Sequence, residues 1–272
     1  MIKMIALDLD NTLLTSDKTI SKVNESALKK LHEQGIKVVL CTGRPINAIW
    51  HFIEQLGLTE AADFTITFNG ALVIHNQDKQ ALAKSGMKKD DLVALHDFAQ
   101  ANDTPLDVLN FEQAYSITDL KKSIYEDQFN GRLHFDHMTF ADLPDDQLYS
   151  KAILSAVKEE LDGYVAKLPD NLYQQYHIVR SQPHILEFLA AGMDKKVGLS
   201  HLLDHFGWDF SNLMAFGDAE NDHGMIEAAG VGVAMANASD EIKAVANETT
   251  LSNDEDGVAA FVEKEATQKL FK

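Results

Sequence analysis

The stretch MIALDLDNT, residues 4–12, decides the fold of this 272-residue chain. Its first four residues, Met4–Leu7, are all apolar, and two carboxylates, Asp8 and Asp10, follow at once. A short continuous apolar run is typical of a strand buried on both faces, as in a parallel sheet covered by helices. The stretch therefore predicts a buried parallel strand with acidic residues at its carboxyl end.

The same pattern continues along the chain. A helical stretch, Ser21–Gln34, precedes Gly35 and a second apolar run, Ile36–Leu40. A second helix is predicted over Ile46–Leu56, ended by Gly57, and a third strand over Asp63–Phe68. Strands that alternate with helices in this way predict an α/β fold with a doubly wound, mostly parallel sheet.

The pattern changes near residue 86 to short strands and helices, including a predicted helix over Asp119–Asn130 and a predicted strand over Leu172–Val179. It returns with the apolar run His184–Leu189, a helix over Asp194–Phe206 that Gly207 ends, and a strand over Leu213–Phe216. We therefore predict a discontinuous core, residues 1–85 and 184–272, with an inserted α+β cap domain, residues 86–183.

Composition excludes several functions. Lysine and arginine number 24 and aspartate and glutamate 42, so the net charge is 24 − 42 = −18. Such a chain repels nucleic acid and anionic membranes, and any anion site must depend on a metal or a few placed cations. No apolar run approaches the ~20 residues that cross a bilayer. The single cysteine, Cys41, cannot form an internal disulfide, which favours a cytoplasmic location.

Polar residues follow several predicted strands: Asp8 and Asp10, then Thr42 and Gly43, then Asp218. In an open parallel sheet, ligands bind beyond the carboxyl ends of the strands, where the strand order switches. Carboxylates brought together there repel one another and are costly to bury unpaired. Mg²⁺ prefers oxygen ligands and relieves this conflict, so a magnesium site is predicted at this edge.

Four motifs in this order resemble the haloacid dehalogenase superfamily, specifically its Cof-type phosphatases with a large inserted α/β cap. The motifs are Asp-Leu-Asp-Asn-Thr at residues 8–12, Thr-Gly-Arg at 42–44, Gly-Met-Asp-Lys at 192–195 and Gly-Asp-Ala-Glu-Asn-Asp at 217–222. Each motif alone could be an ordinary turn or helix start, but their combination is specific. The resemblance spans nearly the whole core, whereas the cap matches only in position and size. It implies that the core, residues 1–85 and 184–272, is catalytic and that the cap, residues 86–183, governs substrate specificity.

The resemblance implies a role for each matching residue. Asp8 would be the nucleophile that forms an aspartyl-phosphate, and Asp10 the general acid and base, whose pKa must be raised for that task. The implied Mg²⁺ ligands are Asp8, the backbone carbonyl of Asp10, Asp218 and, directly or indirectly, Asp222. The implied phosphate contacts are the Leu9 amide, Thr42, Gly43, Lys195 and Asn221. Thr12, Arg44 and Asn69 are assigned to substrate contact or support, and the Thr12 hydroxyl is expected to hydrogen-bond within the first loop and support Asp8. Lys196 follows Lys195, so which lysine reaches the phosphate stays open.

The sequence therefore predicts a Mg²⁺-dependent phosphatase that hydrolyses small phosphomonoesters, such as sugar phosphates. Two alternatives remain: a phosphomutase or phosphotransferase of the same superfamily, and a non-catalytic phospho-acceptor domain. The expected partner is a small phosphorylated metabolite, without nucleic acid or membrane. We expect a monomer or weak dimer.

Overall fold

The computed structural model describes residues 1–128 and 133–267. The predicted core segment 184–272 and cap segment 86–183 each include a few residues outside these ranges. Within them the strands are β1 (Met4–Leu7), β2 (Lys37–Leu40), β3 (Phe64–Thr67), β4 (Leu72–His75), β5 (Ala81–Lys84), β6 (Asp107–Leu109), β7 (Ala114–Ile117), β8 (Phe135–Met138), β9 (Lys151–Ser155), β10 (Tyr176–Gln182), β11 (Ile185–Ala190), β12 (Leu213–Gly217), β13 (Val231–Ala234) and β14 (Glu248–Thr249). The α-helices there are α1 (Lys22–Glu33), α2 (Ile46–Leu56), α3 (Val93–Asn102), α4 (Lys158–Val165), α5 (Asp170–Gln175), α6 (Lys195–Phe206), α7 (His223–Ala228), α8 (Asp240–Val245) and α9 (Gly257–Thr267).

The described residues form two compact units, one within Met1–Lys84 and Asp194–Lys272, the other within Ser85–Met193. In the first unit, a parallel sheet has the strand order β14-β13-β12-β1-β2. Chain order runs outward from β1 to β2 on one side and from β12 to β14 on the other. The switch in strand order therefore lies between β1 and β12, where ligands of such sheets bind.

The strand expected third in this sheet lies beside it. β3 pairs antiparallel with β4, and β4 with β5, while one parallel bridge, Cys41 to Ile66, joins β3 to the end of β2. Because the hairpin begins where β2 ends, the turn after β3 stays next to the loop that follows β2. This places Asn69 beside Thr42, whose carbonyl accepts a 3.0 Å hydrogen bond from the Asn69 amide.

Local sequence signals account for the helix ends. The side chains of Ser21 and Asp194 accept amide hydrogen bonds at the starts of α1 and α6. Gly57 and Gly207 adopt left-handed backbone angles after α2 and α6 and terminate them. The helices predicted over these stretches are present with ends within a residue or two.

The second unit has a sheet of its own, with the order β10-β11-β9-β6-β7-β8. Helices α3 and α4 contribute buried side chains, Leu95 and Leu161, to the apolar cluster built on this sheet. The predicted helix over Asp119–Asn130 is wrong: the described part, up to residue 128, contains turns and one short 3-10 segment, Glu126–Gln128. Residues 129 and 130 lie outside the described ranges.

The second boundary between the units also differs from the prediction. The apolar run expected to resume the core forms β11, which pairs with β9 and β10 of the second unit. Residues 184–193 therefore belong to the second unit, which ends at Met193. Hydrophobicity alone could not show this, because a buried strand looks the same in either sheet.

Among the described residues, none of the helices has the length and apolar content needed to cross a membrane.

Candidate active site

Asp8 lies at the carboxyl end of the central strand. Its amide continues the sheet pairing by donating to the Phe216 carbonyl at 3.1 Å, and its carbonyl accepts from the Leu13 amide at 3.2 Å. Both contacts fix the backbone at the point where the strand ends. The side chain is buried, with a residue exposure of 6%. Asp8 is therefore a carboxylate in a rigid backbone setting at the switch in strand order.

The loop after Asp8 folds back on itself. The Leu9 carbonyl accepts from the amides of Thr12 and Leu14, at 3.3 and 2.8 Å. Asn11 takes a left-handed backbone (φ 60°) within this turn. The Thr12 hydroxyl was expected to bond within the loop, but it donates to Asp218 Oδ1 at 2.8 Å. Thr12 thus connects the first and last motifs.

Asp218 and Asp222 follow β12 in a tight loop. Asp222 Oδ2 accepts from the backbone amides of Asp218 and Ala219, at 2.9 and 3.1 Å. A Cβ placed on Gly217 would stand 2.5 Å from the Cβ of Asp222, so only glycine permits this approach. Asp222 therefore orders the loop that presents Asp218.

Close packing between the turn after β3 and the start of α6 places Lys195 at the site. Gly70 follows β3 with φ 101°, and a Cβ there would stand 2.0 Å from the Asp194 carbonyl oxygen. One turn further along α6, a Cβ on Gly198 would stand 3.0 Å from Gly70. The start of α6 therefore rests directly on the turn after β3, and Lys195 extends from it into the interior.

The Lys195 ammonium joins two of the carboxylates. Its Nζ lies 2.5 Å from Asp8 Oδ1 and 2.5 Å from Asp222 Oδ1, and the side chain is fully buried. Lys196 is exposed. The structure thus brings Lys195, and not Lys196, to Asp8.

Burial and charge shift the pKa of each of these groups. Burial raises the pKa of Asp8 well above its ordinary value; Lys195 opposes that rise and Asp222 adds to it. Burial, with the charge of Asp222, raises the pKa of Asp218 to about 6, against the hydrogen bond from Thr12. Burial alone would lower the pKa of Lys195, but Asp222 and Asp8 outweigh it, so that pKa is raised. Lys195 stays charged, but its single positive charge does not balance the carboxylates around it.

The donor set fits a divalent cation. Asp8, Asp218 and Asp222 each offer a carboxylate oxygen, and these oxygens lie within 4.8 Å of one another. Three buried carboxylates face one ammonium group, which leaves negative charge to be compensated. Hard oxygen donors of this kind suit Mg²⁺.

The second motif lies beside an asparagine pair. Asn69 Oδ1 accepts from Asn221 Nδ2 at 3.3 Å. A Cβ on Gly43 would stand 2.9 Å from Asn69 Oδ1, so glycine leaves room for that amide. Thr42 is buried, and its hydroxyl oxygen accepts from the Arg44 amide at 3.1 Å. The predicted phosphate contacts Thr42, Gly43 and Asn221 therefore meet around Asn69.

Asp10 differs from expectation. Arg44 donates to its carboxylate from Nε at 2.8 Å and from Nη2 at 2.6 Å, and Lys18 Nζ donates at 2.9 Å. Burial acts to raise the pKa of Asp10, but the hydrogen bonds and charges of Arg44 and Lys18 outweigh it, and the pKa is lowered. The expectation of a raised pKa in this state is wrong, because two cations surround the carboxylate.

Sequence reasoning missed Lys18 altogether. It lies in a turn closed by the Thr15 amide, which donates to the Thr19 carbonyl at 2.9 Å, and it adopts a left-handed backbone (φ 59°). In sequence, Ser-Asp-Lys at 16–18 is typical of an exposed turn, so no local signal singles out the lysine. Its contact with Asp10 arises because the chain doubles back after β1.

A match to the model of the haloacid dehalogenase-like hydrolase family covers residues 5–262. The chain belongs to this family and is an enzyme of its phosphatase class. The resemblance based on the motifs is confirmed, as is the fold class, an α/β core with an inserted α+β cap.

Curated relatives match over nearly the whole chain. A putative phosphatase, YxeH, of Bacillus subtilis is 34% identical over 262 residues, covering 95% of this chain and 96% of its own. The 5-amino-6-(5-phospho-D-ribitylamino)uracil phosphatase YitU of the same organism is 32% identical over 280 residues, covering 96% of each chain. Among solved structures, a haloacid dehalogenase-like hydrolase from Bacteroides thetaiotaomicron superimposes with a TM-score of 0.81 at 31% identity, covering 97% of this chain and 100% of that one.

Proposed function

We propose that the enzyme is a Mg²⁺-dependent phosphatase that hydrolyses small phosphomonoesters through an aspartyl-phosphate on Asp8. One observation carries the proposal: the buried Asp8 carboxylate at the strand switch shares a single ammonium group, Lys195, with Asp222 and lies beside Asp218. A purely structural cluster would neutralise its charges. This one leaves negative charge to be matched by a cation.

Mg²⁺ would be held by the Asp8 carboxylate, the Asp10 carbonyl and the Asp218 carboxylate. When bound, it supplies positive charge that offsets the repulsion between phosphate and Asp8. Asp222 has both oxygens engaged, one with Lys195 and one with backbone amides. We therefore assign Asp222 to orienting Lys195 and the Asp218 loop, the indirect of the two roles considered.

The chemistry then follows from the positions of this chain's own residues. Asp8, held at the end of a central strand, attacks phosphorus in line, and the P–O bond to the leaving alcohol breaks. Asp10 protonates that oxygen once the negative charge of the bound phosphate offsets the two cations that lower its pKa in the free enzyme, and it later accepts a proton from the water that hydrolyses the aspartyl-phosphate. Lys195, the Thr42 hydroxyl, Asn221 and the amides of Leu9 and Gly43 would hold the phosphoryl oxygens.

The substrate class follows from the site and from the relatives. Local cations in a chain of net charge −18 favour a compact phosphate group over an extended polyanion. YitU is named for a phosphorylated uracil derivative, and a relative in Escherichia coli, YbhA, for pyridoxal phosphate. Both are small phosphomonoesters, which supports a metabolite of that size. A cytoplasmic location, consistent with the free buried Cys41, is part of the proposal.

Hydrolysis of p-nitrophenyl phosphate, followed by a screen of sugar and cofactor phosphates, tests this function. We expect continuous release of inorganic phosphate that stops on chelation. Transfer of the phosphoryl group to an added sugar instead of water would identify a phosphotransferase. A single stoichiometric phosphorylation without turnover would identify a phospho-acceptor domain.

We expect Mg²⁺ to stabilise the folded protein against heat, and the effect to weaken below pH 6. Binding at a hundredfold excess over Kd adds about 2.7 kcal/mol to the free energy of unfolding. Since the pKa of Asp218 is about 6, protons compete with the ion below that pH, and affinity falls roughly tenfold per unit for one displaced proton. The raised pKa of Asp8 acts in the same direction.

Thermal unfolding with and without Mg²⁺ between pH 5 and 8 measures this dependence. The variant Asp218→Asn should lose most of the stabilisation, whereas Asp209→Asn, a change at an exposed carboxylate, should keep it. A stabilisation that is equal at pH 5 and pH 8 would contradict the assignment of these carboxylates as ligands.

A further inference from the structure

The Asp10 carboxylate is held by two cations from different loops. Arg44 engages both of its oxygens, at 2.8 Å from Nε and 2.6 Å from Nη2, and Lys18 adds a third contact at 2.9 Å. A bidentate pair of guanidinium and carboxylate fixes the orientation of both groups as well as their separation. The direction in which the Asp10 carboxylate points is therefore set by Arg44.

The orientation of Asp10 matters because its backbone carbonyl and its side-chain carboxylate are assigned different tasks. The Asp10 carbonyl is assigned to the metal, while the carboxylate must reach the leaving oxygen. A free aspartate side chain rotates about two bonds, and each misdirected rotamer takes the carboxylate away from its target. Two fixed hydrogen bonds from one planar group remove most of that freedom.

Arg44 is also fixed relative to the phosphate site. Its amide donates to the Thr42 hydroxyl oxygen at 3.1 Å, and it directly precedes Pro45, the N-cap residue of α2. One short segment therefore carries a proposed phosphate contact, Thr42, and the group that orients Asp10. This segment therefore fixes the position of a phosphoryl group bound at Thr42 relative to the acid that is directed at its leaving oxygen.

The two cations are unequal. The side chain of Arg44 is 30% exposed, that of Lys18 50%, and that of Asp10 38%. A single ammonium contact at an exposed position contributes little orientation, because Lys18 can rotate and water competes. Arg44 is thus the main positioning residue, and Lys18 assists it.

We infer that Arg44, assisted by Lys18, is a positioning residue that orients the Asp10 carboxylate toward the leaving group. This inference depends on the proposed function. It has a specific consequence. Arg44 acts only through Asp10, so its effect on the rate is largest when the leaving oxygen needs a proton. An alkoxide leaving group needs that proton, whereas p-nitrophenolate leaves with little assistance.

Rapid-quench single-turnover kinetics on two substrates, glycerol phosphate and p-nitrophenyl phosphate, test the inference. For Arg44→Met we expect the rate of phosphoryl transfer from glycerol phosphate to fall about thirtyfold, within the range of a misplaced general acid. The rate with p-nitrophenyl phosphate should fall no more than about threefold, and KM should change little for either substrate. Arg44→Lys should recover part of the loss, since lysine keeps the charge without the bidentate geometry.

The decisive comparison uses the Asp10→Asn background. If Arg44 acts through Asp10, adding Arg44→Met there should change the rate less than about twofold. Lys18→Gln should cost about threefold or less, and Lys22→Gln, a change at an exposed lysine of α1, should cost nothing. Thermal unfolding of each variant shows whether it is folded.

Two results would overturn the inference. In the first, Arg44→Met raises KM for both substrates, which would mean that Arg44 contacts the substrate. In the second, it lowers the rate equally in the wild-type and Asp10→Asn backgrounds, which would mean that Arg44 does not act through Asp10. Failure of the proposed function is distinguishable from either: the wild-type enzyme would then not hydrolyse these esters, or Asp8→Asn would remain active.

Discussion

Replacing Asp8 by asparagine should reduce kcat/KM for p-nitrophenyl phosphate by at least about a thousandfold, the scale seen when an enzyme loses its nucleophile. The amide is nearly isosteric and cannot form the acyl phosphate. Because Asp8 accepts from Lys195 and lies next to two buried carboxylates, the change also removes one negative charge from a crowded site. Stability should therefore hold or rise while activity disappears.

Steady-state kinetics with Mg²⁺, paired with thermal unfolding, separates these effects. Asp97→Asn makes the same change at an exposed position on α3 and should leave both measurements unchanged. Mass spectrometry of acid-quenched enzyme should detect a phosphoryl adduct on the peptide containing residue 8 in the wild type and none in Asp8→Asn. Substantial activity in Asp8→Asn would remove the nucleophile from the proposal.

Lys195→Met should destabilise the metal-free protein by about 3–5 kcal/mol, since it leaves two buried carboxylates without their shared cation. The loss should depend on pH. The pKa values of Asp8 and Asp218 are raised in the folded state, so folding binds protons, and stability falls as pH rises through those values. Without the ammonium group, both pKa values rise further, because Lys195 lowers each. The variant should therefore lose more stability at pH 8 than at pH 5.

Urea unfolding at the two pH values, with and without Mg²⁺, measures this effect. Mg²⁺ should restore part of the lost stability, because a divalent ion supplies charge to the same carboxylates. Lys196→Met changes the neighbouring, exposed lysine and should alter the free energy of unfolding by no more than about 0.5 kcal/mol. Equal losses for the two variants would contradict the assignment of Lys195 to the site.

The sequence predicts the core of this enzyme well, for a physical reason. Strands β1, β2 and β12 are short apolar runs, and each is followed by polar residues that serve no purpose in a core. Glycine ends α2 and α6 at the expected positions, since a left-handed residue closes a helix with little strain. The motif residues Asp8, Lys195 and Asp222 meet because they lie at strand and helix ends facing one edge of the sheet.

What the sequence could not supply depends on contacts between distant segments. Lys18 reaches Asp10 only because a turn doubles back, and Thr12 bonds to Asp218 across 206 positions. The pKa of Asp10 was expected to rise on general chemical grounds, and two cations lower it. In the cap, Pro169 and Asp170 start helix α5, whose end at Gln175 lies within a stretch expected to be a strand, Leu172–Val179. There the local capping signal outweighs the apolar pattern.

The separation of the core into two segments has a consequence during synthesis. The central strand β1 leaves the ribosome early, but its neighbour β12 and the start of α6 follow only after the entire cap. At about 5–20 residues per second, the roughly 200 residues between β1 and β12 take on the order of ten to forty seconds. The cap is continuous in sequence and can fold within that interval. Until then Asp8 lacks Lys195, the cation that pairs with it in the folded core.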